Sequence, residues 1–347
     1  MASDPTVSDQ HHPSLSGVTT MVTVTYGDRL RFLEESVRRA LADEGVSRVI
    51  IVSNASTSPL ATLEQRWPGL VRIIRLPENT GSANGFAVGI KAALDDGADY
   101  LWLMDDDNAP QPGALAKLVA TREQLRRSLA MADFALLSFR SVLHNDIGRS
   151  LPPALLFARS GSFFGFHLLD LPSKLWARRS WGRSSVPLSL PELIPLQRAP
   201  YGGFYCHRLV YERIGLPNQD LILYGDDSEL TARLVTGGGK IFLVSGSRVD
   251  DLEPSCNDKS RFGSAANVLL SDNSAFRAFY SARNHAYLEA RTGEHKMVRA
   301  VNRLAYLSLL LVMALWQGRL KRYRLFHEAV SRGEAGDLGF DVRFPLP

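Results

Sequence analysis

Three consecutive carboxylates, Asp105-Asp106-Asp107, follow the apolar run Leu101-Trp-Leu-Met104 and lead into Asn108-Ala-Pro110. Packing three acids side by side is electrostatically costly unless a positive partner joins them. Oxygen-only ligands suit a hard cation, Mg²⁺ or Mn²⁺, which can also bridge substrate phosphates. Residues two apart on an extended segment point the same way, so Asp105 and Asp107 are the expected metal-facing pair. A solvated loop or a helix cap is the competing use of such a run.

A second acidic group, Tyr224-Gly-Asp-Asp-Ser-Glu229, opens a helical stretch from Leu230 to Val235. Acids at a helix start complement its macrodipole. Their chemical use would be as a general base that takes the proton from an attacking acceptor hydroxyl. Asp227 is the expected base, with Asp226 and Glu229 as supporting acids or acceptor contacts. The third segment, Pro77-Glu-Asn-Thr-Gly-Ser-Ala-Asn-Gly85, lacks the spacing of a dinucleotide or P-loop fingerprint. Its small residues let backbone approach a ligand, and exposed helix N–H groups favour a phosphate. An ordinary β–α turn would have the same composition.

The elements that must position these groups alternate. Val18 to Thr25, Arg48 to Val52, Val71 to Leu76 and Tyr100 to Met104 read as buried strands. Between them, Arg29 to Ala42, Leu60 to Trp67 and Phe86 to Leu94 carry helical spacing. Such alternation predicts an α/β fold, a mostly parallel sheet with helices on both faces. Ligands then sit beyond the carboxyl ends of the strands. Tyr26, the Ser53-Asn54 turn and Asp105 all fall at ends of that kind. Residues 151–196 are Pro-rich, aromatic and basic and read as an insert, and Phe276 to Val330 reads as a helical C-terminal region.

Composition bounds the rest. With 347 residues, 45% hydrophobic and 22% charged, the chain can form one large α/β domain with a helical addition. The expected division is a disordered segment 1–17, a catalytic domain 18–255 and a helical region 256–347. A formal charge of +4 is too mild to argue for nucleic acid. Cys206 and Cys256 are too few for a disulfide framework or a zinc site, which fits a reducing compartment. Met1 to Gly17 has no apolar core and does not read as a signal peptide. Leu304 to Trp316 is the most apolar stretch, shorter than the ~20 residues of a membrane span. Arg299, Arg303 and Arg319 flank it; basic residues also gather between Lys174 and Arg183, and the segment Leu168 to Trp181 and the tail Arg299 to Arg324 leave open a peripheral contact with anionic lipid. A buried core helix is the alternative. His144, His167, His207 and His285 read as structural or surface residues; should one bind metal, His207 is the first candidate.

Taken in order, Val22-Thr-Val-Thr-Tyr26, Val52-Ser-Asn-Ala-Ser-Thr57, Asn79-Thr-Gly-Ser-Ala-Asn-Gly85, Asp105-Asp-Asp107 and Gly225-Asp-Asp227 resemble the family 2 glycosyltransferases with a GT-A fold. The resemblance spans about Val18 to Val249. It implies inverting transfer of a sugar from a UDP- or dTDP-linked donor, with Asp105 and Asp107 at the metal and Asp227 as base. It places Thr25, Tyr26, Asn54, Asn79, Gly81, Asn84 and Asp106 around the donor, and Gly202, Gly203 and Glu229 toward the acceptor. Phe279-Tyr-Ser-Ala-Arg-Asn284 and the arginine-rich tail look like the galactofuranosyl- and rhamnosyltransferase branch. That branch implies a glycan or polyprenyl-linked acceptor at the cytoplasmic face of the membrane.

Two positions depart from the family pattern. Ser53 stands where an aspartate usually reads the nucleobase. No histidine follows the base at the usual metal position, where Asp250 or Asp251 is available as an oxygen ligand. A processive synthase is disfavoured, because Gln65-Arg-Trp67 lies upstream of the base with the wrong spacing. A catalytically silent sugar-nucleotide binder or scaffold is the alternative from another class.

Overall fold

Runs of β-branched and large apolar residues form the first four strands, Thr19–Thr25 (β1), Arg48–Asn54 (β2), Val71–Leu76 (β3) and Tyr100–Asp105 (β4). This computed structural model describes residues 17–144, 159–172, 190–253, 270, 274–292 and 295–347. The remaining strands are Asn108–Pro110 (β5), Phe134–Arg140 (β6), Leu193–Leu196 (β7), Phe204–His207 (β8) and Lys240–Asp251 (β9). All belong to one sheet of order β3-β2-β1-β4-β8-β6-β9-β5, with β7 also pairing β9. The sheet is parallel through β3-β2-β1-β4 and mixed beyond, since β8 runs antiparallel to both β4 and β6.

Parallel pairing puts the ends of β1, β2, β3 and β4 on one rim. The register sets Asp105 beside Val24, Ser53 beside Thr25, and Asn54 beside Leu76. After β4 the chain turns at Asp106-Asp107 into β5, which pairs Asn108 with Asp251 and Ala109 with Asp250 on β9. Side chains alternate along a strand, so only one of Asp250 and Asp251 can face the acid run.

The sheet is buried on both faces. Val22, Ile50, Leu101, Leu103 and Phe204 pack on one side, and Met21, Val49, Ile51, Trp102 and Met104 on the other. The helices Leu30–Arg38 (α1), Ala61–Arg66 (α2), Gly81–Asp95 (α3), Ala114–Leu125 (α4), Arg208–Ile214 (α5) and Asp226–Thr236 (α6) accompany it. The helix expected over Arg29 to Ala42 is α-helical to Arg38 and ends in a π-helical turn, Arg39–Asp43. The glycine-rich segment expected as a loop is the first turn of α3, which begins at Gly81.

A third core joins Ala275–Thr292 (α7), Lys296–Trp316 (α8) and Leu320–Ala335 (α9) through Phe279, Tyr306, Leu310, Phe326 and Val330. Phe163 enters it from the middle of the chain. The helix expected over Leu304 to Trp316 thus starts earlier, at Lys296. Met1 to Ser16, Lys174 to Arg183, Cys256 and most of the insert 151–196 lie outside the described residues.

Candidate active site

The Asp105–Asp107 run is held by two arginines from distant parts of the chain. Arg29, just before α1, donates through Nε to Asp106 (2.8 Å), Nη2 to Asp107 (3.1 Å) and Nη1 to Glu253 (2.8 Å). Arg140, at the end of β6, donates through Nη1 to Asp105 (3.0 Å) and through Nε to Asp251 (2.9 Å). Asn108 Nδ2 bridges Asp107 and Asp251, each at 3.1 Å. Burial pushes the Asp106 carboxyl up to about 6 against the opposing pull of Arg29. Burial and the Asp105 charge also raise Asp107, while Arg29 and Arg140 oppose them. Five carboxylates therefore face two guanidinium groups, and the cluster keeps an excess of negative charge.

The donor chemistry suits a hard divalent cation. Every side chain offered is an oxygen donor, and Asn108 Oδ1 and Asp251 Oδ2 are buried without a hydrogen-bond partner. Gly202 leaves room for Asn108 and Asp105: a Cβ there would crowd Asn108 Oδ1 and stand 2.7 Å from Asp105 Oδ2. As placed, the carboxylates are turned onto the arginines, and among the described residues no three acid, His or Cys side chains converge as ligands. A cation would draw Asp105 and Asp107 away from those guanidinium groups. Strand alternation decides between the two aspartates of β9. Asp251 joins the cluster, whereas Asp250 pairs with Arg39 (2.9 Å) and Gln111 (2.6 Å) outside it.

Next to the cluster, the start of α3 is organised by one side chain. Asn54 donates to Asn79 Oδ1 (2.9 Å) and Gly81 O (3.0 Å) and accepts from Thr80 N (2.9 Å). Asn84 donates to Thr80 Oγ1 at 2.8 Å, and Asn79 donates to the Pro347 carbonyl at 2.9 Å. Gly81 has φ +86°, and a Cβ on it would stand 2.0 Å from Ile222 O, so no other residue fits without moving that turn. Asn54 is thus committed to shaping the loop. At the start of α3 the Gly81 and Ala83 N–H groups are taken by Asn79 Oδ1 and Ile222 O, so within that first turn it is the Ser82 N–H that could meet an anion. Thr25 is fully buried at the end of β1 while Tyr26 is exposed, and Ser53 accepts from Ser56 N at 3.3 Å.

The second acid pair opens α6. Asp226 is buried and accepts from Ser82 Oγ at 3.1 and 3.2 Å, while Asp227 is half-buried and accepts from Ser228 N at 2.5 Å. Burial raises both carboxyls; the Asp227 charge adds to the rise at Asp226, and Asp105 adds to it at Asp227. Burial, reinforced by the Asp226 charge, holds the Tyr201 phenol protonated. The turn before the pair is strained, with φ +65° at both Ile222 and Tyr224. Positive φ costs such residues about 1–3 kcal/mol each, so the surroundings must enforce it.

Several expected residues lie elsewhere. Glu229 pairs with Arg233 at 2.7 Å along α6. Gly203 donates to Leu103 O and accepts from Ser138 N within the sheet. His207 caps α5, accepting from Leu209 N at 3.2 Å, and stands apart from the acid run. Sequence reading missed Arg29, Arg140, Asn108, Ser82 and Glu253. Only Arg29 carried a usable sign, a lone cation in the turn Tyr26-Gly-Asp-Arg29 at a strand end.

Residues 20–136 match Glycosyl transferase family 2. Galactofuranosyltransferase GlfT1 of Mycolicibacterium smegmatis is 26% identical over 263 residues, covering 74% of this chain and 78% of the relative. The Mycobacterium tuberculosis protein of the same name is 26% identical over 264 residues, covering 72% and 75%. In structure, the chain resembles S. aureus TarS 1–349 in complex with UDP-GlcNAc, with TM-score 0.51, 12% identity, and coverage of 91% of this chain and 80% of the other. It also resembles GalNAc-T7 with UDP, GalNAc and Mn2+, with TM-score 0.50 and 15% identity. That match covers 86% of this chain, which spans 58% of the GalNAc-T7 chain.

Proposed function

We propose, from the premise that this chain is a family 2 glycosyltransferase with a GT-A fold, that it moves galactofuranose from a nucleotide-sugar donor onto a hydroxyl of a glycan acceptor. The observation that carries this reading is that the two acid groups are neighbours: Gly202 abuts Asp105 Oδ2, and the adjacent Tyr201 interacts with Asp226. The Asp105 charge is felt at Asp227, and Ser82 of the α3 turn is bonded to Asp226. The sugar follows from the two mycobacterial relatives, whose names specify galactofuranose; rhamnose is the second donor to try.

Asp227 takes the proton of the acceptor hydroxyl as its oxygen attacks the anomeric carbon. The bond from that carbon to the diphosphate breaks, and the diphosphate leaves with the electron pair, inverting the centre. Burial and the nearby Asp105 charge raise the Asp227 carboxyl, which favours its accepting a proton. The first turn of α3, through its Ser82 N–H, would meet the donor phosphates. A divalent cation, Mn²⁺ or Mg²⁺, would be held by Asp105, Asp107 and Asp251 and would supply positive charge for the leaving group. Asp106 and Arg29 fix that turn from behind.

The test is nucleotide release from a panel including UDP-galactofuranose and dTDP-rhamnose, with Mn²⁺, Mg²⁺ or EDTA and an acceptor lipid extract. Metal-dependent release from UDP-galactofuranose supports the reading. Release from another donor alone removes the sugar assignment, and release undiminished by EDTA removes the metal.

A lipid-linked acceptor at the cytoplasmic membrane face is favoured by α8. This helix is long and apolar enough to cross a membrane by length and composition. One face is buried in the helical core, including polar Asn302, so an in-plane position fits better than a span. Its outer face exposes Met297, Val301, Leu304, Val312 and Leu315. Wild-type protein should sediment with anionic vesicles and Leu304→Glu should not; equal behaviour of the two would remove this contact.

A further inference from the structure

The turn Asp220–Gly225 reaches two sites at once. On one side Ile222 O accepts from Ala83 N at 3.1 Å and abuts Gly81, joining the turn to the start of α3. On the other, Gly225 leads directly into Asp226 and Asp227. Its backbone is held in positive φ at Ile222, Tyr224 and Gly225, which a free loop would not keep.

What holds it is one amide on α7. Asn284 Nδ2 donates to Leu221 O (2.7 Å), Leu223 O (2.9 Å) and Tyr224 O (2.7 Å). The amide is itself oriented, because Arg283 Nε donates to Asn284 Oδ1 at 3.0 Å. Arg283 also donates through Nη2 to Asp220 O and Leu221 O, each at 3.2 Å. Both side chains are buried. Burial pushes the Arg283 guanidinium down to about 10, still cationic at neutral pH. Among the described residues no carboxylate lies within ion-pair distance of it, so its donors are spent on carbonyl oxygens. The helix cannot drift: a Cβ on Gly333 of α9 would stand 1.9 Å from Arg283 O. Arg277, two helical turns before Asn284 and therefore on the same face, donates to Tyr26 Oη at 3.4 Å.

We propose that Asn284, oriented by Arg283, is a positioning residue that sets donor affinity and the placement of the Asp226–Asp227 pair through the single turn it clamps. The claim rests on the reading of Asp227 as base for its kinetic arm alone. The affinity arm runs through Ile222 O and Ala83 N and does not need that reading.

The experiment uses Asn284→Asp, which keeps the shape but replaces the NH2 group that meets three carbonyls with a repelling oxygen, and Phe326→Leu, which loosens the same helical core away from the turn. UDP affinity, kcat and thermal unfolding are measured for each. Asn284→Asp is expected to weaken UDP binding five- to tenfold and lower kcat at least 50-fold at temperatures where it is folded. Phe326→Leu should unfold earlier with both kinetic readouts unchanged. A double-mutant cycle of Asn284→Asp with Ser82→Ala should be non-additive in UDP affinity, since Asn284 clamps the turn that leads into Asp226 and Ser82 bonds Asp226 itself. Should Asn284→Asp not fold, Arg283→Lys, which frees the amide oxygen, is judged by the same two readouts. Unchanged affinity and kcat in the folded variant, or a fall in kcat alone, overturns the proposal. Turnover by Asp227→Asn would remove the base and leave the affinity result standing.

Discussion

The two acidic groups are neighbours but are compensated in different ways. Asp105, Asp106, Asp107 and Asp251 are met by guanidinium groups of Arg29 and Arg140. Asp226 and Asp227 take their hydrogen bonds from neutral donors, the Ser82 hydroxyl and the Ser228 N–H, with the Arg198 charge a lesser influence on Asp227. Burial raises Asp106 and Asp107 as well, but there fixed positive charge opposes it and favours the ionised, cation-holding form. A carboxylate that is buried among neutral dipoles has its charge penalised and suits holding a proton. The proposed division of roles, cation binding at one site and proton transfer at the other, rests on this difference in environment.

The largest effect that would break this contrast is at the base. Asp227→Asn should lower kcat by about 10²–10⁴ while nucleotide affinity stays within about threefold of wild type. Initial rates and titration calorimetry on one preparation read both, and retained turnover would end the assignment. Next comes the arginine side. Arg140→Gln leaves Asp105 and Asp251 facing each other with less positive charge, and should cost about 2–4 kcal/mol of stability. Added Mn²⁺ should raise the melting temperature of this variant more than that of wild type; equal shifts would mean that Arg140 and the cation do not compete.

A smaller effect of opposite sign is expected at Asp226. Its folded carboxyl is raised, so the native state holds the proton more tightly than the unfolded chain. Stability then falls as pH rises from the unfolded value of about 4 to the raised one, and is flat above it. Asp226→Asn should therefore stabilise the fold at pH 7 by on the order of 1 kcal/mol, with the gain vanishing near pH 4 in denaturant titrations. For the same reason the acid limb of kcat/KM should lie above the ordinary carboxylate range. Glu229→Gln breaks only an i,i+4 pair with Arg233 and should change stability by less than about 0.5 kcal/mol.

Both acid groups were legible in the sequence because each is a contiguous run at a strand end or helix start. Their compensation was not. Arg140 reaches Asp105 because β6 and β4 both pair with β8, a tertiary fact without local trace. The choice of Asp251 over Asp250 depends on the β5–β9 register, and two adjacent aspartates give no parity until that register is known. The start of α3 was read as loop because Gly81, Ser82 and Gly85 resemble punctuation. In place, Gly81 and Gly85 allow close approach, to Ile222 O and to Val24, inside a helix. The strands and helices of the first half were clear from periodicity, which buried both sheet faces as expected.

The most direct test of the division of labour is calorimetric titration of UDP into wild type, Asp107→Ala and Asp227→Asn, each with Mn²⁺ and with EDTA. Wild type and Asp227→Asn should bind UDP more tightly with Mn²⁺, and Asp107→Ala should show no difference between the two conditions. Loss of the Mn²⁺ effect in Asp227→Asn, or its survival in Asp107→Ala, would contradict the assignment of charge to one acid group and proton transfer to the other.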